Sequence, residues 1–298
     1  MTPDARTAEM NVPPPDAAAL LRIAGAKGWM LDVDGCIVRT STPGGDGGTA
    51  INGAVELVRW LKERGKSVII CTNASHKTPA HYASHLRRLG FAVDDDEVMT
   101  AATAGAAYIA SQYGQGPVIV VGDVGLKEAL KEAGVRVGAR EAEPPRAVIV
   151  GAADHYATAD LNAACLAIAD GGAAFYVTVN VPWFHGGIAK SLCASAAMAR
   201  AIESITGVAP VICGKPSAPL SEVLCQRLGC HGQDVVIVGD VAAIEVKMAR
   251  DMGANSVLVL SGGTTFEEFQ HLPAQHRPDV CVADVGRLLE ALKKTQQP

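Results

Sequence analysis

Aromatic and charged residues are both scarce in this chain of 298 residues. Aromatic side chains make up 4% and charged side chains 19% of the sequence, whereas hydrophobic residues make up 49%. A disordered chain has the opposite balance. The composition therefore predicts a folded protein whose core is built mainly from Ala, Val, Leu and Ile. At roughly 150 residues for each domain, the length favours about two domains.

The sequence also lacks the features that attract nucleic acids or lipids. Its formal net charge is −5, from 26 Lys and Arg against 31 Asp and Glu, so no basic surplus indicates binding to nucleic acid or to an anionic membrane. No apolar run reaches the roughly 20 residues that span a bilayer. Residues 1–17 are rich in Pro, Ala and acidic residues and lack the apolar segment of a secretory signal, and we expect them to be a disordered lead-in.

The eight cysteines form no Cys-x-x-Cys pair. Four of them lie within apolar, strand-like runs, where a free thiol acts as a small hydrophobic group. Cys225 and Cys230 are not followed by Cys or His at the spacing of a zinc site. The cysteine pattern favours a reduced, cytoplasmic protein.

Short β-rich runs alternate with helical patterns along most of the chain. Several runs are continuous in Val and Ile, which is typical of strands buried on both faces of a parallel sheet. The alternation predicts a layered α/β fold. The candidate strands are residues 29–33, 67–71, 118–121, 147–150, 174–179, 235–238, 256–260 and 280–283.

Two acidic residues follow the first candidate strand, which runs into Asp32-Val33-Asp34-Gly35. Carboxylates at positions i and i+2 point to the same side of an extended chain, and the ligand crevice of an open α/β sheet lies beyond the carboxyl ends of its strands. Two such acids repel each other unless they share a cation, and oxygen ligands favour Mg²⁺. Taken alone, the motif is equally compatible with a turn or a helix cap.

Three further polar motifs stand at strand ends or in turns. Thr72 and Asn73 end the second strand, where a hydroxyl, an amide and backbone N–H groups can bind phosphate or cap a helix. Lys215 stands between Gly and Pro in a short turn, from which a lysine can neutralise phosphoryl charge. A Gly-Asp pair ends a third strand at Asp240, and Glu245 follows five residues later.

The Gly-Asp pair has an internal echo. Residues 118–125 are nearly repeated as residues 235–242, and each copy is an apolar strand that ends in Gly-Asp and opens a helix. Any buried strand that enters a helix favours a Gly turn and an Asp cap. At most one of Asp123 and Asp240 therefore needs to be catalytic.

The ordered set of motifs resembles the haloacid dehalogenase superfamily. The set is Asp-x-Asp-Gly, Thr-Asn, Gly-Lys-Pro and Gly-Asp, and the resemblance extends over residues 28–292. The long segment between Thr72 and Lys215 resembles the NagD-like, p-nitrophenylphosphatase and phosphoglycolate phosphatase branch, which carries an inserted α/β cap. The resemblance implies a doubly wound parallel-sheet core from residues 18–78 and 213–292, with a cap from residues 79–212. The order of the motifs selects Asp240 and places Asp123 in the cap.

The resemblance also implies a function and roles for these residues. The function is magnesium-dependent hydrolysis of a small phosphorylated metabolite through an aspartyl-phosphate. Asp32 would be the nucleophile and Asp34 the general acid and base. The remaining assignments are Thr72, Asn73 and Lys215 to phosphate, Asp32, Asp34 and Asp240 to Mg²⁺, and Glu245, in place of the usual Asp, to an outer position of the metal site.

Two segments depart from the family pattern. Residues 43–49 are unusually rich in glycine, and we expect them to form a mobile flap. In the cap, a family stretch that resembles Thr-Asn-Pro-Asp reads Val-Asn-Val-Pro at residues 179–182, without its acidic residue. We assign substrate specificity to Asn180, Trp183 and His185, against the alternative that the aromatic residues are buried anchors of the cap.

Several alternatives stay open at this point. A phosphotransferase or phosphomutase can use the same fold. A non-hydrolytic phospho-Asp receiver also uses an acidic pair, a Thr and a Lys, but it needs a much shorter chain. A dinucleotide-binding oxidoreductase needs Gly-x-Gly-x-x-Gly directly after a strand, which residues 44–48 do not provide. A homo-oligomer formed through the cap is a further expectation.

Overall fold

The computed structural model of the chain describes residues 12–138 and 143–295. Within these ranges no helix has the length and apolar character needed to cross a membrane. The helices are α1 (Ala17–Gly25), α2 (Ala54–Glu63), α3 (Pro79–Arg88), α4 (Ala101–Tyr113), α5 (Val124–Glu132), α6 (Thr158–Ala169), α7 (Ala194–Thr206), α8 (Ala218–Leu228), α9 (Lys247–Asp251), α10 (Phe266–Gln270) and α11 (Val285–Lys294). The strands are β1 (Gly28–Asp32), β2 (Val38–Arg39), β3 (Thr49–Ala50), β4 (Ser67–Thr72), β5 (Val98–Thr100), β6 (Pro117–Val121), β7 (Arg136–Val137), β8 (Ala147–Val150), β9 (Ala174–Val177), β10 (Trp183–His185), β11 (Lys190–Leu192), β12 (Val211–Ile212), β13 (Val235–Gly239), β14 (Asn255–Val259) and β15 (Val280–Val282).

The first sheet has six parallel strands in the order β15-β14-β13-β1-β4-β5. Successive side chains of the central strand β1 point into two different apolar layers, one on each face of the sheet. Trp29 and Leu31 pack with α1, α2 and α11 on one face, and Met30 packs with α8 on the other. Burial on both faces explains why the strands of a parallel sheet are apolar throughout. The predicted α/β fold with a doubly wound parallel sheet is confirmed.

The second sheet has five parallel strands in the order β12-β9-β8-β6-β7. Helix α4 lies between the two sheets, because Ala104 belongs to an apolar layer of the first sheet and Ile109 to one of the second. Such a helix is apolar on most of its faces. A Cβ atom at Gly105 would lie 3.1 Å from Ile149 Cδ1. A glycine therefore allows α4 to pack closely against the second sheet.

The first sheet includes a strand that sequence analysis assigned to the cap. Strand β5 pairs with β4, Ile70 with Val98 and Thr72 with Thr100. Residues 79–100 therefore lie with the first sheet, and the second sheet begins only at β6, later than the predicted cap boundary at residue 79. With three residues, β5 is too short to give a recognisable strand pattern.

The predicted disordered lead-in covered residues 1–17, of which residues 1–11 lie outside the described part. For Asp16 and Ala17 the prediction is wrong, because they form the start of α1. The Asp16 carboxylate accepts a hydrogen bond from Ala19 N at 2.9 Å and caps α1, and the Val12 side chain packs against the apolar cluster that includes Leu260. A helix N-cap and an apolar anchor fix this segment.

We predict that Leu57→Ala lowers the free energy of unfolding by about 2–5 kcal/mol, because it opens a cavity beneath a fully buried α2 side chain. Leu166→Ala on α6 is the matched control, since Leu166 is 51% exposed, and it should cost less than about 1 kcal/mol. Urea unfolding followed by tryptophan fluorescence measures both, because Trp29 and Trp60 lie in the same apolar layer as Leu57. Equal losses for the two variants would contradict the assigned core.

Candidate active site

The carboxyl ends of β1, β4 and β13 meet at one edge of the first sheet. Asp32 ends β1, Thr72 ends β4, and Asp240 directly follows β13. Strands β4 and β13 lie on opposite sides of β1. The chain connections that leave the ends of these strands therefore run in opposite directions. Ligand crevices of open α/β sheets form at such a switch point. The structure therefore brings together side chains that the sequence separates by more than 200 residues.

Lys215 is the centre of the polar cluster at this edge. The side chain is 1% exposed, and its Nζ atom donates to Asp32 Oδ1, to Glu245 Oε1 at 2.9 Å and to the Cys71 carbonyl at 3.2 Å. Burial lowers the pKa of Lys215, but attraction to Asp32 and Glu245 outweighs burial and raises the pKa well above its ordinary value. The lysine therefore stays charged and holds two carboxylates beside it.

Asn73 fixes the turn that carries this lysine. Its side chain accepts a hydrogen bond from Lys215 N at 2.8 Å and donates one to the Lys215 carbonyl at 3.1 Å. A Cβ atom on Gly214 would lie 2.8 Å from Asn73 Oδ1, so only glycine permits this approach. The Asn73 side chain thus holds the lysine turn, and the phosphate contact predicted for this residue is one that its backbone N–H would make.

The Thr72 hydroxyl is placed to donate to a ligand. Its Oγ1 atom accepts a hydrogen bond from Ala74 N at 3.1 Å. A hydroxyl that accepts in this way keeps its own proton for another partner. Thr72 ends β4 at the edge where Asp32 and Asp240 lie.

Asp34 and Asp240 are carboxylates whose ionisation is opposed by their surroundings. Burial and then the charge of Asp32 raise the pKa of Asp34 to about 7, although the Gly44 N–H, which donates at 3.0 Å, acts in the opposite direction. Burial, followed by the charges of Asp32 and Glu245, raises the pKa of Asp240 well above its ordinary value. Carboxylates crowded in this way are stabilised by a shared cation or a shared proton.

The donor set at this edge fits Mg²⁺. Asp32 and Asp240 would supply carboxylate oxygens, and Asp34 a backbone carbonyl, and these are the hard ligands that Mg²⁺ prefers. The peptide N–H of Gly263 donates to Asp240 Oδ2 at 2.5 Å and orients that carboxylate. No cluster of three His, Cys, Asp or Glu side chains forms a metal site among the described residues. Asp32, Asp240 and the Asp34 carbonyl are thus the groups that would hold a metal ion at this edge.

Glu245, the residue predicted at an outer position of the metal site, contacts Lys215 in the structure. Its Oε1 atom accepts from Lys215 and its Oε2 atom from Val241 N at 3.1 Å. Glu245 belongs to the wide helical turn Ala242–Val246. Its side chain lies over the end of β13, where a Cβ atom on Gly239 would overlap it. Glu245 thus orients the lysine. Its extra methylene, compared with the Asp that the family pattern carries there, lengthens the reach toward Nζ.

A hairpin from the cap segment reaches this site. Strands β10 and β11 pair in antiparallel fashion, and the carbonyl of Gly186 in their connection accepts from Thr40 N at 2.7 Å. A Cβ atom on Gly263 would lie 3.3 Å from His185 Cγ. Because Gly263 also donates to Asp240, His185 lies directly beside the candidate metal site.

The other two predicted specificity residues, Trp183 and Asn180, have no contact with the candidate metal site among those described. Trp183 is 43% exposed, and Lys190 Nζ lies 4.6 Å from the centroid of its ring, a cation–π contact within the hairpin. Asn180 is half-buried between β9 and the hairpin. The interpretation of the aromatic residues as buried anchors is wrong for Trp183, since much of its ring faces solvent.

Sequence analysis missed two backbone groups that hold the carboxylates. The N–H of Gly44 donates to Asp34, and the N–H of Gly263 donates to Asp240. The second had a signal, because Ser-Gly-Gly follows β14 at the same edge of the sheet. The Gly44 N–H had no such signal, because a glycine-rich sequence does not show where in the fold the tip of its loop lies.

Comparison with known families and proteins agrees with this geometry. Residues 29–136 match the haloacid dehalogenase-like hydrolase family, and residues 212–288 match a HAD-hydrolase-like family. Chronophin from Bos taurus is 28% identical over 93% of this chain and 97% of its own length. The 5'-nucleotidase YutF from Bacillus subtilis is 29% identical over 81% of this chain and 90% of its own length.

Solved structures share the fold over most of the chain. The p-nitrophenyl phosphatase from Archaeoglobus fulgidus superposes with a TM-score of 0.78 at 29% identity, covering 89% of this chain and 99% of its own. A glycerol phosphate phosphatase from Mycobacterium tuberculosis in complex with magnesium superposes with a TM-score of 0.77 at 25% identity, covering 91% of this chain and 77% of its own.

The two matched ranges contain the residues on which the predicted resemblance rested. The first includes Asp32, Asp34 and Thr72, and the second includes Lys215 and Asp240. In the structure these residues lie at one switch point, with the lysine between two acids. The chain is therefore a phosphoric monoester hydrolase that belongs to the haloacid dehalogenase-like hydrolases.

Proposed function

We propose that the protein hydrolyses the phosphate ester of a small metabolite in the presence of Mg²⁺, through a covalent phosphoryl group on Asp32. One observation carries this proposal. Asp32 ends the central strand at the switch point, is bound by the buried Lys215, and lies two residues from Asp34, whose pKa is raised to about 7. A nucleophile, a positive charge and a group that can both give and take a proton at neutral pH thus lie together.

Asp32 acts as the nucleophile. A carboxylate oxygen attacks phosphorus, an acyl phosphate bond forms, and the bond between phosphorus and the ester oxygen breaks. Lys215 orients the carboxylate by its bond to Oδ1 and places a positive charge beside the transferring group. The Thr72 hydroxyl and the Asn73 N–H stabilise charge on the remaining phosphoryl oxygens.

Asp34 moves the proton in both steps. In its neutral form it gives a proton to the departing alkoxide, and the resulting carboxylate then takes a proton from the water that attacks the acyl phosphate. A pKa of about 7 makes both forms available near neutral pH. The Gly44 N–H binds Oδ2 and so restricts how the carboxyl can turn.

Asp32, Asp240 and the Asp34 carbonyl would hold Mg²⁺. The ion supplies positive charge that offsets the repulsion between an anionic phosphate and the carboxylates. Gly35 and Gly262 lie so near Asp240 that a Cβ atom on either would overlap its carboxylate. These glycines let two backbone segments close around the acid, and the Gly263 N–H then fixes its orientation.

The substrate is a small phosphorylated metabolite. Related proteins carry the names 5'-nucleotidase, acid sugar phosphatase and glycerol phosphate phosphatase, so nucleotides, sugar phosphates and polyol phosphates are the classes to screen. The residues at the strand ends contact phosphate alone, which all these esters share. Discrimination therefore falls to the hairpin of β10 and β11, where His185 lies beside the site.

A phosphotransferase or phosphomutase, the alternative left open by the sequence, would use the same phosphoryl-Asp32 with a hydroxyl acceptor in place of water. Release of inorganic phosphate in stoichiometric amounts separates the two. The receiver alternative is disfavoured by the second sheet of residues 117–212, which a receiver does not need.

We also propose that two copies associate through the cap. Strand β12 lies at an edge of the second sheet, and Ile205, Val208 and Val211 near this edge are 72%, 40% and 45% exposed. An open strand edge with apolar side chains is a surface that another chain can cover.

The proposed compartment is the cytoplasm. All eight cysteines are free thiols, and five of them are buried. Thiols that do not pair are typical of a reducing compartment.

We predict that Asp32→Asn abolishes phosphate release from every active ester without unfolding the protein, because the amide cannot form the acyl phosphate. The loss should be at least about 1,000-fold, equivalent to about 4 kcal/mol in the barrier. Phosphate release from nucleotides, sugar phosphates and glycerol phosphate with Mg²⁺ measures activity, and circular dichroism checks the fold. A folded variant that keeps a tenth of the wild-type rate would contradict covalent catalysis.

We predict different effects for the two Gly-Asp aspartates. Asp240→Ala should abolish activity or raise the Mg²⁺ concentration needed for half-maximal activity at least about 10-fold. Asp123→Ala is the matched control, because Asp123 precedes α5 beside the second sheet, where its side chain makes no capping hydrogen bond. Titration of activity with Mg²⁺ measures both. If both variants changed the required Mg²⁺ concentration equally, the assignment of Asp240 rather than Asp123 to the metal would be wrong.

We predict that His185→Ala changes the ratio of kcat/KM between two esters by about 1–3 kcal/mol, or about 5- to 150-fold, while inhibition by inorganic phosphate stays nearly constant. Trp183→Ala should act in the same sense but more weakly, because Trp183 is exposed. Steady-state kinetics on the two best esters supply the measurement. A common loss factor on all esters would show that the hairpin is only structural.

A further inference from the structure

The glycine-rich loop, residues 42–48, is in contact with the proton-transfer residue of the proposed mechanism. It connects β2 and β3, which pair in antiparallel fashion. The Gly44 N–H donates to Asp34 Oδ2 at 3.0 Å, and Gly44 has φ +75°, a conformation that favours glycine. The position of this loop therefore decides whether Asp34 keeps that hydrogen bond.

Helix α3 holds the carbonyl side of the loop through buried groups. The Tyr82 hydroxyl donates to the Gly44 carbonyl at 3.0 Å, and His85 Nε2 donates to the Gly47 carbonyl at 3.0 Å. Tyr82 is 4% exposed and His85 is 7% exposed. These bonds act on backbone groups that flank the tip of the loop at residues 45–46.

The tip carries Asp46, whose carboxylate is bound on both oxygens. Oδ2 accepts from Lys77 Nζ at 2.7 Å, and Oδ1 lies 2.7 Å from His81 Nε2. The hydrogen bond from Lys77 is the main reason why the pKa of Asp46 falls to about 2. Lys77 lies five residues after Thr72, so one carboxylate joins the loop to the segment that follows the phosphate-binding residues.

We propose that Asp46 is a positioning residue, which holds the glycine-rich loop against Lys77 and His81 so that the Gly44 N–H stays bound to Asp34. The inference rests on the proposed function, because it assigns Asp46 a role in proton transfer by Asp34. Four of the seven residues of the loop are glycines, and glycine has the greatest backbone freedom of any residue. Ionic contacts at the tip therefore restrict a segment that would otherwise sample many conformations.

The test compares esters that differ in their need for an acid. A p-nitrophenolate leaves without a proton, whereas the alkoxide of an alkyl phosphate needs one. The alkyl substrate is whichever of glycerol phosphate, glucose 6-phosphate and a nucleoside monophosphate has the highest kcat/KM with wild-type protein and Mg²⁺. For Asp46→Asn we expect kcat/KM to fall about 10- to 100-fold on this ester but less than about 3-fold on p-nitrophenyl phosphate, since a positioned acid contributes about 100-fold or more.

Three further variants separate positioning from a general structural effect. Asp95→Asn is the matched control, because Asp95 lies 2.9 Å from Arg87 of α3, away from the loop. The ratio of kcat/KM between the two esters should not change in this variant. Asp46→Glu keeps the charge and should recover most of the alkyl ester activity. In Lys77→Met protein, Asp46→Asn should cause a smaller loss than in wild-type protein, as coupled residues do.

The outcomes distinguish this inference from the proposed function. If wild-type protein hydrolyses no ester, the proposed function fails, and the role of Asp46 fails with it. If wild-type protein is active but Asp46→Asn lowers kcat/KM by the same factor on both esters, or lowers it on neither, only the inference is overturned. A selective loss on the alkyl ester with an unchanged thermal unfolding midpoint supports it.

Discussion

The buried ammonium group of Lys215 is the interaction on which the rest of the site depends. Its Nζ atom is bound by Asp32, Glu245 and the Cys71 carbonyl. Removing one member of a buried ionic cluster leaves the others uncompensated, which is more costly than the cluster itself. The lysine therefore fixes the position of the Asp32 carboxylate, and Asn73 and Glu245 fix the position of the lysine.

The sheet topology explains why these groups meet. Strand β1 lies between β4 and β13, so the residues at the ends of these three strands become neighbours although they are far apart in the sequence. Lys215 comes from none of them. It enters from the turn after β12, at the return of the chain from the second sheet, and the Asn73 side chain receives it through two hydrogen bonds to its backbone.

Two elements outside the first sheet, the glycine-rich loop and the hairpin of β10 and β11, approach different acids of the site. The glycine-rich loop contacts Asp34 through Gly44, and the hairpin of β10 and β11 brings His185 against the residue that binds Asp240. The two elements also touch each other, since Thr40 N donates to the Gly186 carbonyl. The loop and the hairpin are thus separate segments that share one interface beside the site.

The sequence by itself determined the fold class, the central strands and the identity of the acids, the lysine and the hydroxyl, because buried strands and polar residues at their ends leave local patterns. The choice of Asp240 over Asp123 came from the resemblance of the ordered motifs to a known family, because the two Gly-Asp copies are locally alike. Only the tertiary structure decided that β5 joins the first sheet, that Glu245 faces Lys215, and that Asp46 ties the glycine-rich loop to α3. Such contacts depend on how segments remote in the chain are placed, and no local period of the sequence encodes that placement.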